Sequence, residues 1–152
     1  MKFLVMVQGD PSMEGQLPTL EQMAKMARFN EELVKAGVMK SGEGLMPSAQ
    51  GAKVTWGGGK RTVTDGPFAE ARELVGGFWI WECGSLAEAK AWAEKIPFEV
   101  DGDVKGSVEI RQIATMEHYA PNDPDGKIAA REEKLRERIE AQAGDSQRFD
   151  TD

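Results

Sequence analysis

Two segments of this chain are apolar on both faces, and nothing else in the sequence constrains the fold as much. Residues 2–8 place Phe3, Val5 and Val7 on one side of an extended strand and Leu4 and Met6 on the other. Val75–Cys83 places Phe78 and Ile80 on one side and Trp79 and Trp81 on the other. A strand apolar on both faces belongs to a sheet covered on both faces. One layer of helices covers one face only. If the helices leave Leu4 and Met6, or Trp79 and Trp81, towards water, a second subunit packing sheet against sheet is the usual remedy. The pattern therefore points to a homodimer.

Between these strands the helix signals are clear. Thr19 and Gln22 form a capping box after Pro18. The helix it opens is expected from about Leu20 to Ala36, with Met23, Met26, Ala27, Leu33 and Val34 buried and Gly37 ending it. Ser85 and Glu88 open a second helix to about Lys95, with Leu86, Ala89, Ala93 and Ile96 on one face and Pro97 as the stop. Val38–Leu45 and Ala52–Trp56 read as short strands. Gly57–Lys60 is a turn into a hairpin partner, Arg61–Thr64. Ser107–Ala114 is the last strand, with Val108, Ile110, Gln112 and Ala114 facing one way and Glu109, Arg111 and Ile113 the other. This order predicts an α+β domain: a ferredoxin-like split β-α-β subunit with an antiparallel sheet and both helices on one face.

The 152 residues suit one domain, placed at 1–118, followed by a charged extension at 119–152. Pro121, Pro124 and Gly126 break the chain there. A Glu/Arg/Lys/Ala-rich helical stretch follows, Lys127–Ala143, in which Ile128, Leu135 and Ile139 supply an apolar seam, and the acidic end is expected to be disordered. The net charge of −7 argues against nucleic acid and against an anionic membrane surface as partners. The single cysteine, Cys83, excludes an intrachain disulfide and a cysteine zinc cluster within the chain, and fits a cytoplasmic setting. The apolar run Phe3–Val7 is too short for a signal-peptide core or a membrane span. No GxGxxG, P-loop or HExxH motif is present, so a nucleotide cofactor is disfavoured and no cofactor-binding or metal-ligating residue is assigned.

The stretch from Asp65-Gly66-Pro67-Phe68-Ala69-Glu70 through Arg72 to Gly76-Gly77-Phe78-Trp79-Ile80-Trp81-Glu82 resembles the signature of the YCII-related family in its DGPF-motif branch. Phe29–Leu33, Gly42–Leu45, Ser85–Trp92 and Val108–Arg111 agree with that resemblance in order, over about residues 1–118. It implies a dimeric α+β barrel of ferredoxin-like subunits with a cleft near the DGPF loop. One branch of the family resembles dehydrochlorinases that work with a paired His and Asp; other members resemble companions of extracytoplasmic-function sigma factors. Asp65 matches the Asp of the motif. The sole histidine, His118, lies at the end of the last strand and does not match a catalytic position.

Asp65 is accordingly the candidate catalytic residue, as a general base, although Asp-Gly-Pro also reads simply as a turn. Gly66, Pro67, Phe68 and Glu70 surround it as candidate ligand contacts. Arg72 would clamp a ligand carboxylate, or else belong to a solvated charge cluster. Glu43 sits between two glycines, where the backbone approaches something closely. Glu109 and Arg111 share a strand face and either line a ligand pocket or pair with each other. Trp79 and Trp81 read first as core and second as a stacking platform. Two functions fit: a dimer that binds a small organic molecule, with acid–base chemistry open to it, and a non-catalytic partner of a sigma factor.

Overall fold

A computed structural model describes residues 1–68, 70–99 and 106–146, without the side chains of 145 and 146. The expected disordered end at 147–152 lies outside the described residues. The chain forms two units, Met1–Ile113 and Ala114–Asp152.

In the first unit, β1 (Lys2–Gly9), β2 (Met39–Gly44), β5 (Leu74–Glu82) and β6 (Gly106–Gln112) make a four-stranded sheet in the order β2-β5-β1-β6. Every neighbouring pair is antiparallel. The remaining strands, β3 (Ala52–Gly57) and β4 (Lys60–Asp65), pair only with each other. Helix α1 (Leu20–Lys35) follows β1, and α2 (Leu86–Ala93) joins β5 to β6. The architecture is α+β with an antiparallel sheet. The central strands are those whose sequence is apolar on both faces.

Both capping signals work as the residues require. Thr19 Oγ1 accepts from Gln22 N, and Gln22 Oε1 accepts from Thr19 N at 2.8 Å. Ser85 Oγ accepts from Glu88 N, and Glu88 Oε2 accepts from Gly84 N at 2.7 Å. Gly37, at φ 71°, takes the left-handed position after α1 that a side chain would resist.

The core lies on one face of the sheet. Phe3, Val5, Trp79 and Trp81 meet Phe29 and Leu33 of α1 and Ala89 of α2. Phe29 stands edge-on to both tryptophans, with ring centroids 6.2 and 6.4 Å apart. Burying each such side chain contributes about 1.5–3 kcal/mol, so this one layer holds the unit together.

Two expectations need correction. Residues directly opposite in an antiparallel pair share a face, and Phe3 pairs with Trp81 while Leu4 pairs with Ile80. The tryptophans therefore face the helices, and the side left towards solvent carries Leu4, Met6, Phe78 and Ile80. On α1, Met23, Ala27 and Val34 are exposed, and the buried stripe runs Met26–Phe29–Leu33 instead. Successive helical residues point about 100° apart, so Leu33 and Val34 cannot both be central.

In the second unit, α3 (Lys127–Ser146) carries its Ile128, Leu135 and Ile139 seam 53%, 42% and 64% exposed. Asp123 starts this helix by accepting from Ile128 N and Ala129 N. The sole histidine sits in the 3-10 turn Met116–Asn122 rather than at a strand end, and its Nδ1 accepts from Thr115 N at 3.1 Å.

Candidate functional site

The candidate site is built where three loops meet. After β1, Asp10 accepts from Ser12 N at 2.8 Å and starts a short 3-10 turn, Pro11–Met13. Hydrogen bonding to Ser12 holds the Asp10 carboxyl below its ordinary value. The turn delivers Glu14 to a second 3-10 turn, Ser48–Gln50. There Glu14 Oε1 accepts from Ser48 N and Glu14 Oε2 accepts from Ser48 Oγ, both at 2.6 Å. Ser48 is the buried polar residue of the described core, at 9% exposure. A buried hydroxyl needs partners, and Glu14 supplies one from 34 residues away.

The third loop is the Asp65–Phe68 turn. Its Gly66 N donates to Gly51 O at 2.9 Å, and its Phe68 N approaches Ser48 Oγ at 3.4 Å. The Gly66–Pro67 peptide is cis. A Cβ on Gly66 would run into the Ser48 carbonyl oxygen, so glycine is required here for close backbone approach. The Lys53 ammonium lies 4.5 Å from the centre of the Phe68 ring. One carboxylate, one hydroxyl and two glycines thus tie three loops together.

Asp65 closes β4 opposite Ala52 and is exposed. Among the described residues its carboxylate has no hydrogen bond or ion pair, which leaves it available to an incoming donor. Ser48 Oγ is committed to Glu14 and buried, which suits a tie better than a nucleophile.

The expected site residues fall into three sets rather than one. Asp65, Gly66, Pro67 and Phe68 form the turn, with Glu70 and Arg72 exposed shortly after it. Glu43, Glu109 and Arg111 lie on the uncovered face of the sheet. Glu43 pairs with Phe78, Phe78 with Met6, and Met6 with Glu109, so the two acids end one row across four strands. At about 4.8 Å per strand spacing they stand roughly 14 Å apart. Arg111 Nε lies 3.9 Å from Glu109 Oε1, a loose and exposed pair. Trp79 and Trp81 are core, not a platform. Trp79 Nε1 donates to Asn30 Oδ1 at 3.0 Å, while Trp81 Nε1 is buried with no partner among the described residues.

Of the two glycines beside Glu43, Gly42 is required by packing, since a Cβ there would come within 2.5 Å of Trp79 Cδ1, whereas a Cβ at Gly44 would meet nothing within 4 Å. Burial raises the Cys83 thiol above its ordinary value, and Glu88 adds to the effect. A shallow groove of about 220 Å³, lined by Lys25, Arg28, Phe29, Glu32, Lys95 and Pro97, shares no residue with the turn. Among the described residues, no cluster of three or more His, Cys, Asp or Glu could hold a metal ion, and no helix is long and apolar enough to cross a membrane.

Sequence reasoning missed Glu14 and Ser48. Pro47-Ser48 reads as an ordinary turn start, and Glu14 as a solvated loop acid. No local spacing connects them.

Known proteins agree with this picture at the level of family. The chain is 31% identical over 101 residues to an uncharacterised protein, R00369, of Rhizobium meliloti (strain 1021), covering 66% of this chain and 77% of the relative. The YCII-related domain pattern matches residues 1–117, which include all three loops and every strand. The chain belongs to the YCII-related domain family.

Proposed function

We propose that this protein, of the DGPF-motif branch, works as a homodimer of ferredoxin-like subunits packed sheet to sheet. In this reading it binds a small organic molecule beside the Asp65–Phe68 turn. The strand order β2-β5-β1-β6, with both helices against one face, supports the ferredoxin-like description. Leu4, Met6, Phe78 and Ile80 at the centre of the opposite face support the dimer, since an apolar centre with a charged rim is how protein interfaces are built.

The observation that carries the binding site is the fastening of the turn. Ser48 and Glu14 hold it, while Asp65 at its mouth has no partner among the described residues. A rigid mount with a free acceptor is a preorganised binding group. Asp65 would accept a hydrogen bond from the ligand and serve as base if a proton is transferred. Native mass spectrometry of protein purified from its own host tests this. A bound small molecule that is lost in Asp65→Asn, with the dimer intact, is the expected result. Equal occupancy in both proteins would make Asp65 structural.

One observation favours a second reading, partnership with an extracytoplasmic-function sigma factor. The exposed seam of Ile128, Leu135 and Ile139 on α3 is an amphipathic helix face of the kind that docks in a protein groove. Co-purification with such a factor, abolished by Leu135→Asp, would support it. Unchanged recovery in the variant would remove it.

A further inference from the structure

We propose that the β3–β4 hairpin is a clasping arm. Its Val54, Trp56 and Val63 face, with Arg61, docks on the β2 edge beside Glu43 of a second copy of this chain. The inference rests on the sheet-to-sheet dimer proposed above and says how each copy holds the other.

The arm's two faces differ. Val54 pairs with Val63 and Trp56 with Arg61, while Lys53 pairs with Thr64 and Thr55 with Thr62. One face is thus mainly apolar and the other polar, the alternation of a half-buried strand. Yet every residue of both strands is exposed, with Val54 at 50%, Val63 at 67% and Trp56 at 79%. A lone two-stranded hairpin is marginal in water and needs something against its apolar face. No described residue of its own unit covers that face.

The arm is built to project. Gly58 and Gly59, at φ 56° and 79°, form the two-residue tip between Gly57 and Lys60, a turn that suits the strands' twist. Six residues per strand give a reach of roughly 20 Å. Charge then selects the occupant. On the docking face the arm carries Arg61, with Asp65 at its base, while Lys53 and Lys60 project from the opposite face. A partner for it must be apolar, with an acid placed to meet Arg61. This chain offers such a surface on the uncovered sheet face, where exposed Glu43, on the edge strand β2, is paired with Phe78 of β5 beside the apolar centre. Glu43 and Arg61 each lack an ion-pair partner among the described residues. A two-fold axis brings each copy's Arg61 to the other's Glu43, so both contacts form at once.

Sedimentation equilibrium of the full chain tests the arm. Trp56, Arg61 and Glu43 are exposed, so their variants should fold normally. Trp56→Ser, Arg61→Glu and Glu43→Arg are each expected to weaken the dimer about tenfold or more. The double variant Arg61→Glu/Glu43→Arg restores it, because each reversed charge again meets its opposite. Failure of the double variant to recover would overturn the Arg61–Glu43 contact. Wild-type dimerisation in all three single variants would overturn the arm itself. The sheet-face reading has its own control, Phe78→Ser, or Met6→Lys should that variant misfold. A dimer lost in the control but kept in the arm variants leaves that reading standing without the arm. A wild-type chain that is monomeric at high concentration removes both.

Discussion

Val5 and Val54 occupy the same kind of position in the same kind of structure, and their fates are opposite. Each sits in an antiparallel strand with apolar neighbours on its own face. Val5 is 0% exposed and Val54 is 50% exposed. The difference is in what lies opposite. The inner face of the four-stranded sheet meets Phe29, Leu33 and Ala89 from two helices, whereas no described residue of its unit buries the β3–β4 face. Alternation states which face needs cover. Only the path of the chain decides whether that cover is present.

The largest test of this contrast compares tryptophans. Trp81→Ala should cost about 3–5 kcal/mol in urea denaturation, because it empties a fully enclosed site. Trp56→Ala should change intrinsic stability by less than about 0.5 kcal/mol, as exposed substitutions do, with any larger loss appearing as a dependence on protein concentration. Equal losses in both at low concentration would end the distinction.

The loop junction sharpens the comparison from the polar side. Ser48→Ala removes the hydroxyl that Glu14 accepts from, a bond to a charged group typically worth about 1.5–3 kcal/mol. It should also loosen the Asp65–Phe68 turn, read as faster amide exchange at Gly66 and Phe68. Thr62→Ala, on the exposed arm, should do neither. At the edge of the sheet, Gly42→Ala drives a Cβ towards the buried Trp79 ring and should cost about 1–3 kcal/mol by overpacking. Gly58→Ala touches nothing but forces a side chain into a left-handed turn, so its cost should be smaller, about 1 kcal/mol.

The smallest effect concerns a surface pair. Lys40 Nζ lies 2.6 Å from Glu82 Oε2, and this hydrogen bond, then the charge of Lys40, holds the Glu82 carboxyl below its ordinary value of 4.5. A depressed carboxyl stabilises the fold above the unfolded value and loses that contribution as pH falls through the folded one. Lys40→Met should therefore lower the urea midpoint slightly at pH 7 and not at all at strongly acid pH. Both groups are nearly half exposed, so salt should erase the difference.

Much of the fold was legible because its signals are local. Thr19 with Gln22, Ser85 with Glu88, and the glycines at 37, 58 and 59 act on backbone within a few residues, and each did what its chemistry requires. The buried stripe of α1 was less legible. Phe29 displaced Ala27 and Val34 because the helix is rotated to set its aromatic ring against Trp79 and Trp81, a long-range contact. The site was partly legible: Asp65, Gly66 and Phe68 announce a turn, but the serine and glutamate that fasten it lie far apart in the chain.

By itself the sequence determined the kinds of element, their order and the apolar character of both faces of the central strands. Hydrogen-bonding and periodicity act within a turn or a strand, so they can be read residue by residue. Tertiary structure alone decided that Trp79 and Trp81 face the helices while Leu4, Met6, Phe78 and Ile80 are left on the other side. It alone brought Glu14 to Ser48 and set Glu43 on the uncovered face of the sheet. Those outcomes depend on strand register and loop closure, where a one-residue shift exchanges the two faces of a sheet.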